Sequence, residues 1–286
     1  MAVIHTEPIE IVYHDITLRT LEVLRVTRPT PRMVRVTLGG PELAGFIDQG
    51  PADHVKAFFP VPGERIPVLP GVDPDGDGIV MPTEPPFPIT RDYTTRRFDR
   101  EANELDLDFV LHGNGVATAW AANAQPGDLL GLAGPRGSVL VPRDFDWYLF
   151  ASDETGLPGL ARWLESLPEG AVAKAFVQVD DAGEVEDLAT KADAEITWLY
   201  RNGLAHGEGE LLFEAIKALE FPPGQPYVWI TGEAGELRPI RRYLRGLGLD
   251  REYTDVDGYW KRGTVNLDHH EPDEDDDEDG PQPEKA

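Results

Sequence analysis

The chain has 286 residues, 41% of them hydrophobic, carries a formal net charge of −26 and contains no cysteine. The length gives room for two ordinary domains, and the missing thiols exclude disulfides, thiolate metal sites, cysteine-ligated iron–sulfur clusters and a cysteine nucleophile. Ten acids against one lysine between Asp268 and Ala286 put −9 in the tail and leave −17 for residues 1–267, a field that repels nucleic acid and anionic membrane surfaces.

Residues 1–18 read as an N-terminal extension. Their sequence, MAVIHTEPIEIVYHD onward, lacks the basic and then apolar pattern of a secretory signal. No run of 18 apolar residues marks a membrane span. The expectation is a cytoplasmic monomer.

Residues 19–143 read as β-rich. "LRTLEVLRVTRPTPRMVRVTLGG" alternates apolar and polar residues around a Pro/Thr turn, as a hairpin does. "DHVKAFFPVP", "RDYTTRRFD", "ELDLDFVLHG" and "DLLGLAGPRGSVLV" continue the series. Short antiparallel strands at this spacing predict a small barrel. One helix interrupts it, "VATAWAANA", stopped by Pro126 and Gly127. From residue 144 to 266 the pattern changes to apolar strands alternating with amphipathic helices, which predicts βαβ units on a parallel sheet. Residues 267–286, "LDHHEPDEDDDEDGPQPEKA", cannot bury a core and are expected to be disordered. His269 and His270 there read as an exposed segment rather than a metal site.

"DPDGDGIVMPTE" matches the calcium-loop spacing, with Asp73, Asp75, Asp77, Gly78 and Glu84 in place. Such a loop needs flanking helices to aim its oxygens. Here "PVLPGV" precedes it, "PPFP" follows it and Pro82 lies inside it, so a solvated acidic connector is expected. No metal site is predicted.

Immediately beyond lies Arg91-Asp-Tyr93-Thr94-Thr-Arg96. In a regular pleat residues 91 and 93 share one face and residues 94 and 96 the other. A flavin needs an aromatic ring against the isoalloxazine, a hydroxyl at its polar edge and an arginine for phosphate, and this strand offers all three. It also suits an edge strand with exposed arginines. "HGNGVATAWAANA" follows about twenty residues later. Its glycines allow close backbone approach, and a helix N-terminus offers free N–H groups to a pyrophosphate. Thr118 adds a hydroxyl.

These segments resemble the siderophore-interacting protein family of FAD-dependent ferric-siderophore reductases. The resemblance runs in order through "PRMVRVTLGGPELAGF", "DHVKAFFP", "DETGLPGLARWLESLP", "YVWITGEAGELRPIRRYLRG" and "GYWKRG". It implies a ferredoxin/flavodoxin-reductase-like architecture: an N-terminal FAD-binding antiparallel β-barrel, then an NAD(P)H-binding parallel α/β domain.

Carried over position by position, Arg91, Tyr93, Thr94 and Arg96 match the flavin strand. His112, Gly113, Gly115 and Thr118 match the flavin-phosphate segment, although Gly115-Val116-Ala117 stands where the family often has Gly-Pro-Ala. Asp153, Glu154 and Thr155 match the turn after the first α/β strand. Gly156 stands there in place of the usual alanine, which implies a looser helix start. Thr231, Gly232 and Glu233 open the last long helix, where a nicotinamide nucleotide is expected, NADPH or NADH. They also suit a plain strand-to-helix turn, and no GxGxxG follows a strand. Arg201 is a candidate for adenosine phosphates or a solvated loop arginine. Trp260 either covers the flavin or packs the domains together.

A ferric siderophore is the substrate the resemblance implies, drawn in by Lys56, Arg136, Lys261 and Arg262. The expected sequence of events is hydride transfer to the flavin, then single electrons to Fe(III), with no protein nucleophile. A flavoprotein reductase with a protein or quinone acceptor, or a flavin-free siderophore- or nucleotide-binding module, remain the other readings.

Overall fold

The structure is a computed structural model and describes residues 8–73, 78–113 and 115–265. Its first half is built from β1 (Glu10–Tyr13), β2 (Leu18–Thr30), β3 (Met33–Gly39), β4 (His54–Phe59), β5 (Gly71–Val72), β6 (Ile79–Val80), β7 (Ile89–Asp99), β8 (Glu104–Val110), helix α1 (Val116–Asn123), β9 (Leu129–Ala133) and β10 (Gly137–Leu140). Strands β2, β3, β8, β7, β4 and β9 close in that order into an antiparallel barrel. Closure leaves no strand edge unpaired. The alternation read from the sequence fills the interior: Val34, Val36, Leu38, Leu105, Leu107 and Phe109 are all fully buried. Trp120 of α1 plugs one end, its ring 5.6 Å from Phe59 and 5.7 Å from Phe109.

"DLLGLAGPRGSVLV", expected as one strand, is two. Gly134 has φ +94 and Pro135 offers no N–H, so the ladder cannot run through them. Strand β9 closes the barrel, and β10 pairs with β1 instead. The acidic connector forms a short hairpin, β5 with β6, in which the Asp73 N–H donates to the Gly78 carbonyl at 3.0 Å. Asp75 and Asp77 lie outside the described residues, as does the tail with His269 and His270. Among the described residues no cluster of three or more His, Asp or Glu side chains is placed to hold a metal. No described helix is long and apolar enough to cross a membrane.

The second half comprises β11 (Trp147–Ser152), α2 (Leu157–Ser166), β12 (Val172–Val179), β13 (Asp193–Tyr200), α3 (Leu211–Ala218), β14 (Pro226–Glu233), α4 (Ala234–Gly246) and β15 (Thr254–Trp260). The five strands form one parallel sheet in the order β13, β12, β11, β14, β15. The central strands "WYLFAS" and "PYVWITGE" are buried along their whole length, as strands covered on both faces must be. Trp163 of α2 packs on Phe150, Tyr227 and Trp229 on one face. Leu237, Ile240 and Leu244 of α4 cover the other. From β11 the chain winds outward to β13, then returns to β14 beside β11. The turns after β11 and β14 therefore face each other across a topological switch point, where open α/β sheets bind ligands.

Helix α2 joins the halves. The Arg162 guanidinium donates to the Thr95 carbonyl at 2.9 Å and pairs with Asp48 at 2.7 Å. Thr30 donates its hydroxyl to Glu184 at 2.5 Å, and Arg32 pairs with Asp180 at 2.5 Å. The looser helix start expected from Gly156 is not found. A Cβ there would lie 2.0 Å from the Thr231 hydroxyl and 2.7 Å from the Ser152 Cβ. Glycine at this position permits close packing of α2 on the strand ends. Gly156→Ala is expected to cost about 1–3 kcal/mol through overpacking. The readout is a lower urea midpoint at unchanged slope, and an unchanged midpoint would contradict it.

Candidate functional site

Strand β7 crosses the floor of a cavity of about 290 Å³ between barrel and sheet, bordered by Arg91, Asp92, Tyr93 and Thr94. The end of β8, strand β10 and the start of α2 form its sides, and Trp229, Asp255, Asp257 and Tyr259 of the sheet close it. Tyr93 stacks at 4.4 Å on Phe109. Burial raises its phenol pKa, so it stays neutral. Arg91 donates to the Thr90 carbonyl at 2.6 Å, and no carboxylate pairs with it among the described residues. His112 also borders this cavity. Burial, then His206 and Arg91, hold its pKa below the ordinary histidine value, so it is a neutral hydrogen-bonding group near pH 7.

A second cavity, about 680 Å³, lies against the start of α1. Residues 60–65, Gly115, Val116, Ala119, Trp120 and Asn123 line it. Gly113, next to His112, has φ +43, and the space where its side chain would stand is open. Helix α1 begins at Val116 with Gly115 as its N-cap and no side-chain cap. Its first N–H groups are thus left to a ligand or solvent. Thr118 makes only a long contact, 3.4 Å, to the Val110 carbonyl.

Not all of the predicted strand meets the cavity. The register slips between Thr95 and Arg97, so a bulge breaks the pleat before Arg96. Arg96 pairs with Glu165 of α2 at 2.7 Å and ties the domains together instead of facing the cavity.

At the switch point, Asp153 is buried and accepts from the Thr155 N–H at 2.8 Å, the Thr155 hydroxyl at 2.5 Å and the Trp260 indole N–H at 2.7 Å. Burial and then Glu154 raise its pKa. Trp260 is thereby fixed at the sheet edge and does not border the first cavity. Arg201, expected at adenosine phosphates, forms a buried two-point ion pair with Glu154; its charge is committed to the fold. Thr231 is fully buried. Gly232 leaves room for Asp153, whose carboxylate lies 3.2 Å from the position a Cβ would take. The Glu233 carboxylate accepts the Glu236 N–H at 2.8 Å and the Arg262 N–H at 3.0 Å. It therefore caps α4 and occupies the N-terminal site expected to receive phosphate.

The cations expected at the substrate are mostly committed as well. Both oxygens of Asp92 accept from Lys56, at 2.8 and 2.9 Å. Arg262 pairs with Glu208 at 2.5 Å, and Lys261 is engaged too. Arg136 borders the first cavity. Sequence reading missed Asp92, Asp255, Asp257 and Tyr259 as cavity residues. The last three alternate along β15, a period-two signal that was present in "TDVDGYW".

The comparisons with known proteins fall on the same two halves. A model described as the siderophore-interacting FAD-binding domain matches residues 22–139, and one described as siderophore-interacting protein matches residues 145–263. The chain is 39% identical to the NADPH-dependent ferric-chelate reductase of Escherichia coli K12, over 87% of this chain and 95% of the relative. It is 34% identical to the ferric vibriobactin reductase of Vibrio cholerae, over 88% and 93%. The crystal structure of a siderophore utilization protein from T. fusca superposes with TM-score 0.87 at 49% identity, covering 92% of this chain and all of that one. The fold alone is shared with the ferredoxin reductase in carbazole 1,9a-dioxygenase, at TM-score 0.61 and 17% identity, over 86% of this chain and 70% of that one.

Glu236 offers a test of the acidic switch point. Burial and then Asp153 push its carboxyl up to about 7. The folded chain therefore holds this proton more tightly than the unfolded chain, and stability falls as pH rises from the ordinary glutamate range toward neutrality. Glu236→Gln removes that loss. The Tm difference, variant minus parent, is expected to be more positive at about pH 8 than at about pH 5; an equal difference at both would contradict it.

Proposed function

The chain belongs to the siderophore-interacting protein family, and from that membership and the two cavities we propose that it is an FAD-dependent NADPH:ferric-siderophore oxidoreductase. The observation that carries the reading is the placement of Arg91, Tyr93, Thr94 and His112 on one cavity and of the Gly115 helix start, three residues after His112, on the second. The residues fit FAD. Tyr93 and Thr94 serve the isoalloxazine, and Arg91, which has no carboxylate partner among the described residues, serves a phosphate. Gly113, Gly115 and the uncapped α1 N-terminus serve the pyrophosphate. Arg65 and Trp120 stand where the adenosine half would go.

When bound, FAD supplies the conversion between hydride chemistry and the one-electron reduction of Fe(III). The protein's share is positioning and exclusion of water. Tyr93, neutral and packed on Phe109, gives a dry wall. Thr94, beside the Tyr259 hydroxyl, holds the barrel strand against the sheet. His112, neutral near pH 7, adds no charge to the site.

The donor binds at the switch point. There Asp153, Glu233 and Glu236 offer acceptors suited to ribose hydroxyls and a carboxamide N–H. NADPH as the donor rests on the name of the Escherichia coli relative. A chain without cysteine suits the reducing cytosol, where that donor is found. The overall balance is one hydride, hence two electrons, reducing two ferric ions, with one proton released. Fe(II) binds hard oxygen ligands less tightly than Fe(III), so reduction frees the metal.

The test is anaerobic turnover of the FAD-loaded protein with NADPH and a ferric siderophore, with Fe(II) trapped as it forms. Two Fe(II) per NADPH are expected. NADPH oxidation without Fe(II), or no oxidation at all, would overturn the reading.

A further inference from the structure

A two-stranded ribbon flanks the first cavity without belonging to the barrel. Strands β1 and β10 pair antiparallel, with Ile11 opposite Val139 and Tyr13 opposite Gly137. Residues two apart on a strand share a face, and so do direct partners across a ladder. Ile11, Tyr13 and Val139 therefore stand on one face of the ribbon, and all three border the cavity. They are 48%, 59% and 40% exposed. Thr94 and Trp229, which border the same cavity, are buried. The cavity thus has an inner side at β7 and the sheet, and an open, apolar side at the ribbon.

An isolated two-stranded ribbon is marginal in water, and this one is held by polar ties to the barrel. The His14 N–H donates to the Arg136 carbonyl at 2.8 Å. The buried Ser138 hydroxyl donates to the Asp53 carboxylate at 2.7 Å and lies 2.9 Å from Nε2 of His14. The same Asp53 oxygen accepts the N–H groups of Gln49 and Gly50 at 2.8 and 3.0 Å. Polar groups of the ribbon are thus turned inward and its large apolar groups outward, the reverse of a strand that only covers a core. Apolar side chains gathered at the mouth of a cavity mark a binding wall.

The reaction says what meets this wall. Fe(III) has to come within reach of the flavin, which Tyr93 and Thr94 of the same cavity serve. A siderophore wraps its iron, so the surface that a ferric chelate turns outward is organic. Tyr13 offers a ring for stacking on a planar arm, and Ile11 and Val139 offer aliphatic contact beside it. None of the three is charged at neutral pH, so the contact does not depend on the charge of the iron centre.

Resting on the reading that this chain reduces ferric siderophores, we infer that the ribbon is part of the substrate site: the face of Ile11, Tyr13 and Val139 binds an aryl-bearing arm of the ferric chelate.

The test keeps iron centre and charge constant and varies only apolar surface. A linear tris-hydroxamate ending in an amine is capped with acetyl or with benzoyl and loaded with Fe(III). Three hydroxamates balance the charge of Fe(III), so both chelates are uncharged and share one iron core. With the full-length, FAD-loaded protein and NADPH, kcat/KM is expected to be about tenfold higher for the benzoyl form, mostly through KM, which partial burial of one phenyl ring suffices to produce. In the double variant Ile11→Ser with Tyr13→Ser the preference is expected to fall to about one, while FAD affinity and the rate of flavin reduction by NADPH stay as in the parent. Val139→Ser, on the other strand of the ribbon, is expected to lower the preference by about threefold.

Equal kcat/KM for the two chelates in the parent, or a preference that survives in the double variant, would overturn the inference. So would weaker FAD binding by the double variant, because the face would then serve the cofactor. The outcome that strikes the underlying reading is distinct: a protein that holds FAD and is reduced by NADPH, yet leaves both chelates oxidised, is not a ferric-siderophore reductase, and the inference falls with it.

Discussion

The architecture turns on how closely α2 is seated. Its start has no room for side chains at two positions, Gly156 and Gly159. Gly156 lies against Ser152 and Thr231 at the sheet edge, and a Cβ on Gly159 would stand 2.9 Å from the Trp229 ring and 3.7 Å from a Thr94 methyl. The second contact crosses between domains: one helix touches β14 of the sheet and β7 of the barrel at once. Close packing of this kind tolerates little displacement. It fixes β7 over the carboxyl ends of β11 and β14, and the first cavity is the space that remains between barrel and sheet. The ties of Arg96 and Arg162 to the opposite domain hold the same arrangement electrostatically.

Charge is organised around that cleft in a consistent way. Cations near the cleft that a simple reading would make ligand contacts, Arg201, Lys56, Arg96 and Arg262, each have a carboxylate partner. In a chain with twice as many acids as bases, a basic side chain near a carboxylate is the expected state, and a basic side chain without one carries the information. Among the described residues, Arg91 and Arg136 are the two on the first cavity. The same excess crowds acids together at the switch point, where burial and then Glu154 raise the proton affinity of Asp153, and burial, Asp153 and Glu233 raise that of Glu236.

Much of the fold was legible because each half repeats a simple period. Alternation of two gave the barrel strands, and unbroken apolar runs gave the central parallel strands. What escaped were features set by partners distant in sequence. The bulge that turns Arg96 toward α2 depends on how β7 pairs with β8. The Lys56–Asp92 pair depends on the register of β4 against β7. Glu233 reads as a nucleotide contact until the structure shows it capping its own helix. The family motifs pointed to β7, which borders the first cavity, and to the Gly-rich helix start, which borders the second. They did not foretell that Gly156 marks a tight contact, since a missing side chain is silent about whether it leaves space or saves it.

The central claim is that β7 and the start of α1 hold one dinucleotide across the two cavities. A crystal structure of the protein with FAD bound tests it most directly. The account predicts the isoalloxazine beside Tyr93 and Thr94 in the cleft between the domains, the diphosphate at Gly115 and Val116, and the adenosine in the cavity walled by residues 60–65 and Trp120. An isoalloxazine bound away from Tyr93, or a diphosphate away from the start of α1, would contradict it.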